Sequence, residues 1–252
     1  MLERITPLIL CRDEEPNIGR TLAQLAWADE VVVVDSFSTD RTVGIARSFP
    51  NVRLVQRAFD THALQWSYGA SLVTTEWTLT LDADYFVPDE LIRELASLAP
   101  ADEIAAYEAT FIYAVRGRRL RASLYPARAV LLRSGRFDFW QDGHTQRVRV
   151  RGGVGRLRTP MVHDDRKSLR RFAQRQRAYM GQEAVKLRAA SWASLNGIGK
   201  LRKLRVVAPF AMLVYTLLVR RTILDGWPGV IYTFERVAAE VILSRELFRR
   251  SS

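Results

Sequence analysis

The sequence holds a single cysteine, Cys11, and three histidines. It lacks a Gly-x-Gly-x-x-Gly fingerprint after its first apolar run, and it lacks any unbroken apolar stretch of about 20 residues. Each absence removes a class of protein. One cysteine forms no internal disulfide, suits a reducing compartment and, at the end of a first apolar strand, reads as a small buried hydrophobe rather than a nucleophile. Without the glycine fingerprint a dinucleotide-binding Rossmann enzyme is disfavoured. The opening Met-Leu-Glu-Arg-Ile-Thr-Pro-Leu shows no basic n-region, apolar h-region and small-residue cleavage site, so the expectation is an active domain that stays in the cytoplasm.

What is present is a folded composition of 252 residues, 48% hydrophobic and 26% charged, enough for one sizeable α/β domain and an appendage. The formal net charge of +11 is unevenly spread. Residues 166–252 carry 18 Lys and Arg against 5 Asp and Glu, whereas residues 1–165 carry 20 against 22. The expected organisation is therefore a catalytic and ligand-binding domain over 1–165 and a basic, apolar helical region over 166–252.

Hydrophobic periodicity predicts strands at 5–11, 31–35, 52–56 and 77–82, alternating with helices at 16–27, 40–48, 62–72 and 88–98. Such alternation implies a mainly parallel central sheet with flanking helices. From 104 to 162 shorter β-rich segments follow. A basic helix is expected at 168–190. The run Val206–Val219 is apolar but contains Pro209 and is too short to span a bilayer of the usual thickness, and 229–248 repeats its apolar residues near a 3.6-residue period. These basic amphipathic segments suit an anionic membrane surface, or else pack as an ordinary helix pair on the rest of the chain.

Chemistry concentrates where apolar strands end in acids. Trp77-Thr-Leu-Thr-Leu-Asp-Ala-Asp84 delivers Asp82 and Asp84 from one strand end, and residues i and i+2 of an extended segment project the same way, so both reach one hard divalent cation. Val31-Val-Val-Val-Asp35 has the same design. Ligands of open α/β sheets bind beyond the carboxyl ends of the strands. Thr39 and Asp40 are expected to cap the following helix, which leaves Asp35 for a ligand rather than for the turn.

Leu8-Ile-Leu-Cys-Arg-Asp-Glu-Glu-Pro-Asn-Ile18, Trp27-Ala-Asp-Glu-Val-Val-Val-Val-Asp-Ser-Phe-Ser-Thr-Asp-Arg-Thr42 and Leu81-Asp-Ala-Asp84 resemble, in order and spacing, the family 2 inverting glycosyltransferases of GT-A fold. Within that family the chain is similar to the lipopolysaccharide core β-glucosyltransferases. The resemblance implies a nucleotide-sugar donor, UDP-linked, and a lipid-linked or lipopolysaccharide-type acceptor at the inner face of a bacterial inner membrane. It further implies a Mg²⁺ or Mn²⁺ ion on Asp84, with Asp82 on the ribose or the ion, and the nucleotide base on Asp35. Arg12, Glu14 and Gln65 fall where such enzymes contact the nucleotide, while Ser67 departs from the subgroup's Asn.

Inversion needs a general base at the acceptor. Asp142 and His144, in Asp142-Gly-His-Thr-Gln146, are the two candidates, with Asp142 favoured, because Thr145 stands where many relatives carry Glu. Trp140 offers a sugar-stacking face on what reads as a loop. His163, at the head of His163-Asp-Asp-Arg-Lys167, could complete the metal shell, and Arg166 and Lys167 could pair with diphosphate oxygens. Two other classes compete. A nucleotidyltransferase would also need acids and metal, but no Gly-rich, Lys-containing phosphate loop is present. A non-catalytic basic protein binding membrane or nucleic acid would explain the tail, yet arginines interleaved with aliphatic runs match no nucleic-acid motif, and no nucleic-acid partner is expected.

Overall fold

A computed structural model describes residues 1–121, 124–142 and 145–249. The strands and helices of the first half are β1 (Ile5–Cys11), α1 (Ile18–Ala23), β2 (Val31–Asp35), α2 (Thr42–Arg47), β3 (Val52–Gln56), α3 (His62–Ser71), β4 (Trp77–Asp82), β5 (Tyr85–Phe86) and α4 (Asp89–Ser97). There follow β6 (Ile104–Ala109), β7 (Phe111–Val115), β8 (Arg118–Arg119), β9 (Arg128–Arg133), β10 (Phe137–Asp142), β11 (Thr145–Val150), β12 (Gly153–Arg156) and β13 (Met161–His163). The helices α5 (Leu169–Ala189), α6 (Gly197–Lys203), α7 (Val207–Val214) and α8 (Trp227–Phe248) complete the chain.

The chain divides into two compact units. The first takes residues up to Ala114 and the stretch from Leu124 to Arg166; the second takes the short excursion starting at Val115 together with the chain from Lys167 onward. In the first unit a seven-stranded sheet has the order β12-β6-β9-β4-β1-β2-β3. Strands β4, β1, β2 and β3 are parallel, β9 is antiparallel to both β4 and β6, and β12 is parallel to β6. The sheet is thus mostly parallel and covered by helices, and the central strands read as continuous apolar runs because both of their faces are buried. Leu8, Val32, Val34 and Trp66 form the cluster on one face, and Ile9, Val31, Val33, Leu79 and Leu81 belong to the larger cluster on the other.

The close seat of α3 on β1 needs glycine: a Cβ at Gly69 would come within 2.7 Å of a Leu8 methyl. The hairpin β10–β11 is held against α3 by Phe139 on Trp66, with ring centroids 5.8 Å apart, and by the Ala63 N–H donating to Gln141 Oε1 at 3.0 Å. A small sheet pairs β13 antiparallel with β5 and parallel with β7.

In the second unit α5 and α8 pack through Met180, Ala184, Leu187, Leu243 and Leu247. The expected single apolar segment 206–219 is instead α7 followed by a π-helical turn, Tyr215–Val219; Pro209 lies in the first turn of α7, where its missing N–H costs no helical bond. A 3-10 turn, Thr222–Asp225, leads into α8. Among the described residues no helix is long and apolar enough to cross a membrane. The buried Glu240 carboxylate accepts from Arg202, whose guanidinium also reaches Glu183 at 3.5 Å, so the charge inside this bundle is paired.

Candidate functional site

Parallel register brings three strand ends to one edge of the large sheet. Cys11 lies opposite Asp35 and Leu10 opposite Asp82, so Asp35 and Asp82 flank the end of β1 rather than adjoining one another.

Beyond β4 the simple i, i+2 rule fails, because the strand stops at Asp82 and Ala83-Asp84 form a turn into β5. That turn is fixed by the Thr21 hydroxyl, which donates to the carbonyls of Ala83 and Tyr85. Asp84 is thereby aimed at β13, where its Oδ2 meets His163 Nε2 at 3.2 Å and its carbonyl accepts the Asp164 N–H at 3.1 Å. Asp82 stays half-buried at the strand end.

His163 stands in an aromatic box, with the rings of Tyr113, Tyr125 and Tyr85 at 4.8, 5.0 and 5.6 Å. Burial disfavours the imidazolium, but the charge and hydrogen bond of Asp84, helped by Asp82 and Asp165, outweigh it and raise the pKa of His163. Its Nδ1 is buried without a hydrogen bond. The hydroxyls of Tyr85 and Tyr125 share a 2.5 Å hydrogen bond, and burial drives both phenols above their ordinary range. Arg128 stacks on Tyr125 at 5.0 Å and lies within electrostatic reach of Asp82.

The expected convergence of Asp82, Asp84 and His163 on one point is not formed: among the described residues no three His, Cys, Asp or Glu side chains gather as a metal-ligand set. The donor chemistry nonetheless fits a hard divalent ion, since two carboxylates and an imidazole with an unsatisfied buried nitrogen share one edge.

Asp35 is placed differently from the expectation. It is fully buried, and its carboxylate accepts from the Ser38 N–H at 3.0 Å, the Ser38 hydroxyl, the Gln56 amide at 2.9 Å and the Cys11 thiol at 3.6 Å. The supposed capping by Thr39 does not occur. Helix α2 starts at Thr42 behind Arg41; Asp40 accepts from the Thr42 N–H and hydroxyl, and the Thr39 N–H donates to Asp13. Asp35 is consumed in fixing the loop after β2. Burial, and then the adjacent Asp35 charge, push the Cys11 thiol far up, which keeps it protonated and inert.

Around this edge Gln65 donates to the Ser36 hydroxyl at 3.0 Å and accepts from Arg57, so it braces the same loop. Arg12 is exposed. Glu14 accepts from Asn17 at 2.9 Å and donates its N–H to Thr42 at 2.7 Å, which locks the first strand-to-helix loop. Asn17, fully buried and not singled out from the sequence, joins that loop to the far end of the unit: its amide also donates to Asp165 at 3.0 Å and its oxygen accepts the Arg166 N–H at 3.0 Å. Asp164, likewise missed, is buried and paired with Arg20 and Arg166. Arg166 is therefore engaged with Asp164 rather than projecting alone. Lys167 falls in the second unit, just before the Ser168 N-cap of α5.

Trp140 and Asp142 lie on strand β10, not in a loop. Trp140 is 45% exposed, and the Asp142 carboxylate accepts from Arg147 Nε at 2.9 Å. His144 lies outside the described residues.

Comparison with known proteins identifies the family. The model of glycosyl transferase family 2 matches residues 8–161. The lipopolysaccharide core biosynthesis glycosyltransferase LpsC of Rhizobium meliloti is 28% identical over 181 residues, which cover 64% of this chain and 65% of that protein. An uncharacterized glycosyltransferase of Rickettsia felis is 35% identical over 95 residues, 37% of this chain and 32% of the relative. The chain thus spans less than two thirds of the length of these relatives. The crystal structure of S. aureus TarS 1-349 in complex with UDP-GlcNAc, 15% identical, covers 96% of this chain and 90% of its own with a TM-score of 0.51, which shows a shared fold. The sheet is that of a GT-A-like glycosyltransferase, and the chain belongs to glycosyl transferase family 2.

Proposed function

We propose that the chain is an inverting glycosyltransferase that moves a sugar from a UDP-linked donor to a lipid-linked or lipopolysaccharide-type acceptor, working peripherally on the inner face of a bacterial inner membrane. The observation that carries the reading is the single sheet edge on which Asp82, the Asp84–His163 pair and the Asp35-anchored loop stand together. The UDP-GlcNAc complex of TarS supports the donor class, and the likeness to LpsC supports the acceptor class.

In this reading the loop held by Asp35, Gln56, Gln65 and Glu14 receives the nucleotide, with Arg12 at its rim. Asp35 serves the base through the loop it anchors. Asp84 and His163, with Asp82 beside them, would hold Mg²⁺ or Mn²⁺, which would supply positive charge for the departing diphosphate. Arg166 adds cationic charge for the same group. Asp142 takes the proton of the acceptor hydroxyl, whose oxygen bonds the anomeric carbon as the carbon–diphosphate bond breaks on the opposite face. Arg147 orients that carboxylate, His144 is the alternative base, and Trp140 stacks on a sugar.

Calorimetric titration of UDP with and without Mn²⁺ tests the site. The wild type is expected to bind more tightly with the ion and Asp84→Ala to lose that increment. An unchanged Mn²⁺-dependent increment in Asp84→Ala refutes the assignment.

A further inference from the structure

The second unit exposes apolar side chains where a soluble bundle would place polar ones. They concentrate at the turn that joins α7 to α8. Leu218 and Val219 in the π-helical turn are 61% and 63% exposed, Ile223 and Leu224 in the 3-10 turn are 53% and 58% exposed, and Trp227 opens α8. Burial of the threonines explains why these residues point outward. Thr222 donates to the Thr216 carbonyl at 2.9 Å and shares a 3.0 Å hydrogen bond with Thr233, so the polar side of the turn faces inward and the apolar side faces out. Gly229 makes the turn tight enough: a Cβ there would fall 1.8 Å from the Thr222 carbonyl oxygen.

The charge around this apolar tip comes from a distant part of the sequence. The excursion from Val115 brings Arg118 over the Trp227 ring at 5.4 Å, and Arg121 pairs with the buried Asp225 through its N–H at 3.3 Å and its guanidinium at 3.6 Å. Arg119 and Arg221 are exposed beside them in the chain. Asp225 at the tip is thus paired, and Arg118, Arg119 and Arg221 leave exposed positive charge there.

We infer that this tip, apolar turn and arginine collar together, is a preformed docking surface for an anionic phospholipid bilayer. The inference rests on the membrane-peripheral part of the reading above and specifies which surface performs it. A second copy of the chain fits less well, since a two-fold contact would set one arginine collar against another. The apolar side chains enter the headgroup boundary, while guanidinium groups meet lipid phosphates and Trp227 sits at the interface. The tip inserts without crossing, as among the described residues no helix is long and apolar enough to span.

The test uses the full chain with vesicles of phosphatidylcholine and phosphatidylglycerol at 3:1, against pure phosphatidylcholine. Cys11 is buried, so Leu218→Cys takes an environment-sensitive fluorophore selectively, and Val185→Cys, on an exposed site of α5, is the control. The label at 218 should blue-shift with anionic vesicles and the label at 185 should not. Leu218→Glu with Ile223→Glu, both at exposed positions, should abolish sedimentation with vesicles. Arg118→Ala and Arg221→Ala should each weaken it about fivefold at low salt. Sedimentation that survives the double glutamate change overturns the proposal, as does a blue shift at 185 alone. So does a dimer in light scattering that the double change dissolves while vesicles capture nothing. Donor hydrolysis without vesicles is the separate readout: it should be untouched by the double change, and its absence in the wild type alongside intact vesicle binding would refute glycosyl transfer alone.

Discussion

Asp84→Asn should destabilise the protein most in acid, and the size of the effect follows from the pair it breaks. His163 and Asp84 side chains are 15% and 8% exposed and lie 3.2 Å apart. At an effective dielectric of about 20, two unit charges at that distance attract by about 5 kcal/mol, most of which offsets the desolvation of both groups. A net contribution of about 1.5–3 kcal/mol remains, the usual range for a hydrogen bond involving charge.

The pH window follows from the direction of the shift. The pKa of His163 is raised above the 6.5 of an unperturbed imidazole despite its burial, because Asp84, Asp82 and Asp165 favour the proton. Folding therefore takes up a proton at this site. The stabilisation is fully present below about pH 6.5 and is lost as the pH rises through the raised folded value. In Asp84→Asn the buried imidazole loses its main anionic neighbour, so charging it opposes folding. Urea unfolding in EDTA at pH 6 and pH 9 should show a wide gap between wild type and variant at the lower pH and a narrow one at the higher. A gap independent of pH, or one that widens toward pH 9, refutes the reasoning.

Three further changes probe the remaining elements. Asp142→Asn should cost at least about 10²-fold in turnover with donor affinity nearly unchanged, the loss expected of a general base, and steady-state kinetics with titration of donor would expose a failure. Asp35→Ala leaves the Ser38 and Gln56 donors without their acceptor and should weaken UDP binding equally with and without Mn²⁺; a loss confined to the Mn²⁺ samples contradicts the loop-anchoring role. Gly229→Ala drives a methyl into backbone at the Thr222 carbonyl and should cost about 3 kcal/mol, at the upper end for overpacking, read as early proteolysis of α7 and α8 while the first unit stays protected.

Strands β1, β2, β3 and β4 fall at the residues that hydrophobic runs indicate, because a parallel strand covered on both faces must be apolar throughout and must stop where polar residues begin. The acids that end β2 and β4 were legible for the same reason. Their partners were not. Asp35 is occupied by Gln56, which lies on the neighbouring strand, and no local pattern announces a side-chain bond across that distance. The turn at Ala83-Asp84 depends on the hydroxyl of Thr21 in α1, so the aim of Asp84 was invisible to a rule based on extended chain. From sequence, Trp140 close to Gly143 reads as a loop, although Phe137, Asp138 and Phe139 alternate as a half-buried strand does; pairing with β11 and packing on Trp66 make it strand β10.

The same contrast separates what holds the site from what it does. Residues that carry chemistry sit just past the last periodic position of an element, where the hydrophobic pattern no longer specifies direction. Their orientation is set by hydroxyl and amide groups from elsewhere in the fold: Thr21 for Asp84, Ser38 and Gln56 for Asp35, Asn17 for the loop at Asp165 and Arg166. Thr21 and Asn17 are short polar side chains, fully buried and hydrogen-bonded, whereas Ser38 is half-buried and Gln56 exposed. Their loss should therefore shift the geometry of the acids by small amounts without unfolding the sheet. Thr21→Val tests that argument, since it keeps volume and removes both hydroxyl contacts to the β4–β5 turn. It is expected to lower the Mn²⁺-dependent increment in UDP affinity by an amount approaching that of Asp84→Ala, while the Mn²⁺-independent affinity stays at the wild-type value. Equal losses in both would mean that Thr21 supports the whole sheet edge rather than the aim of Asp84.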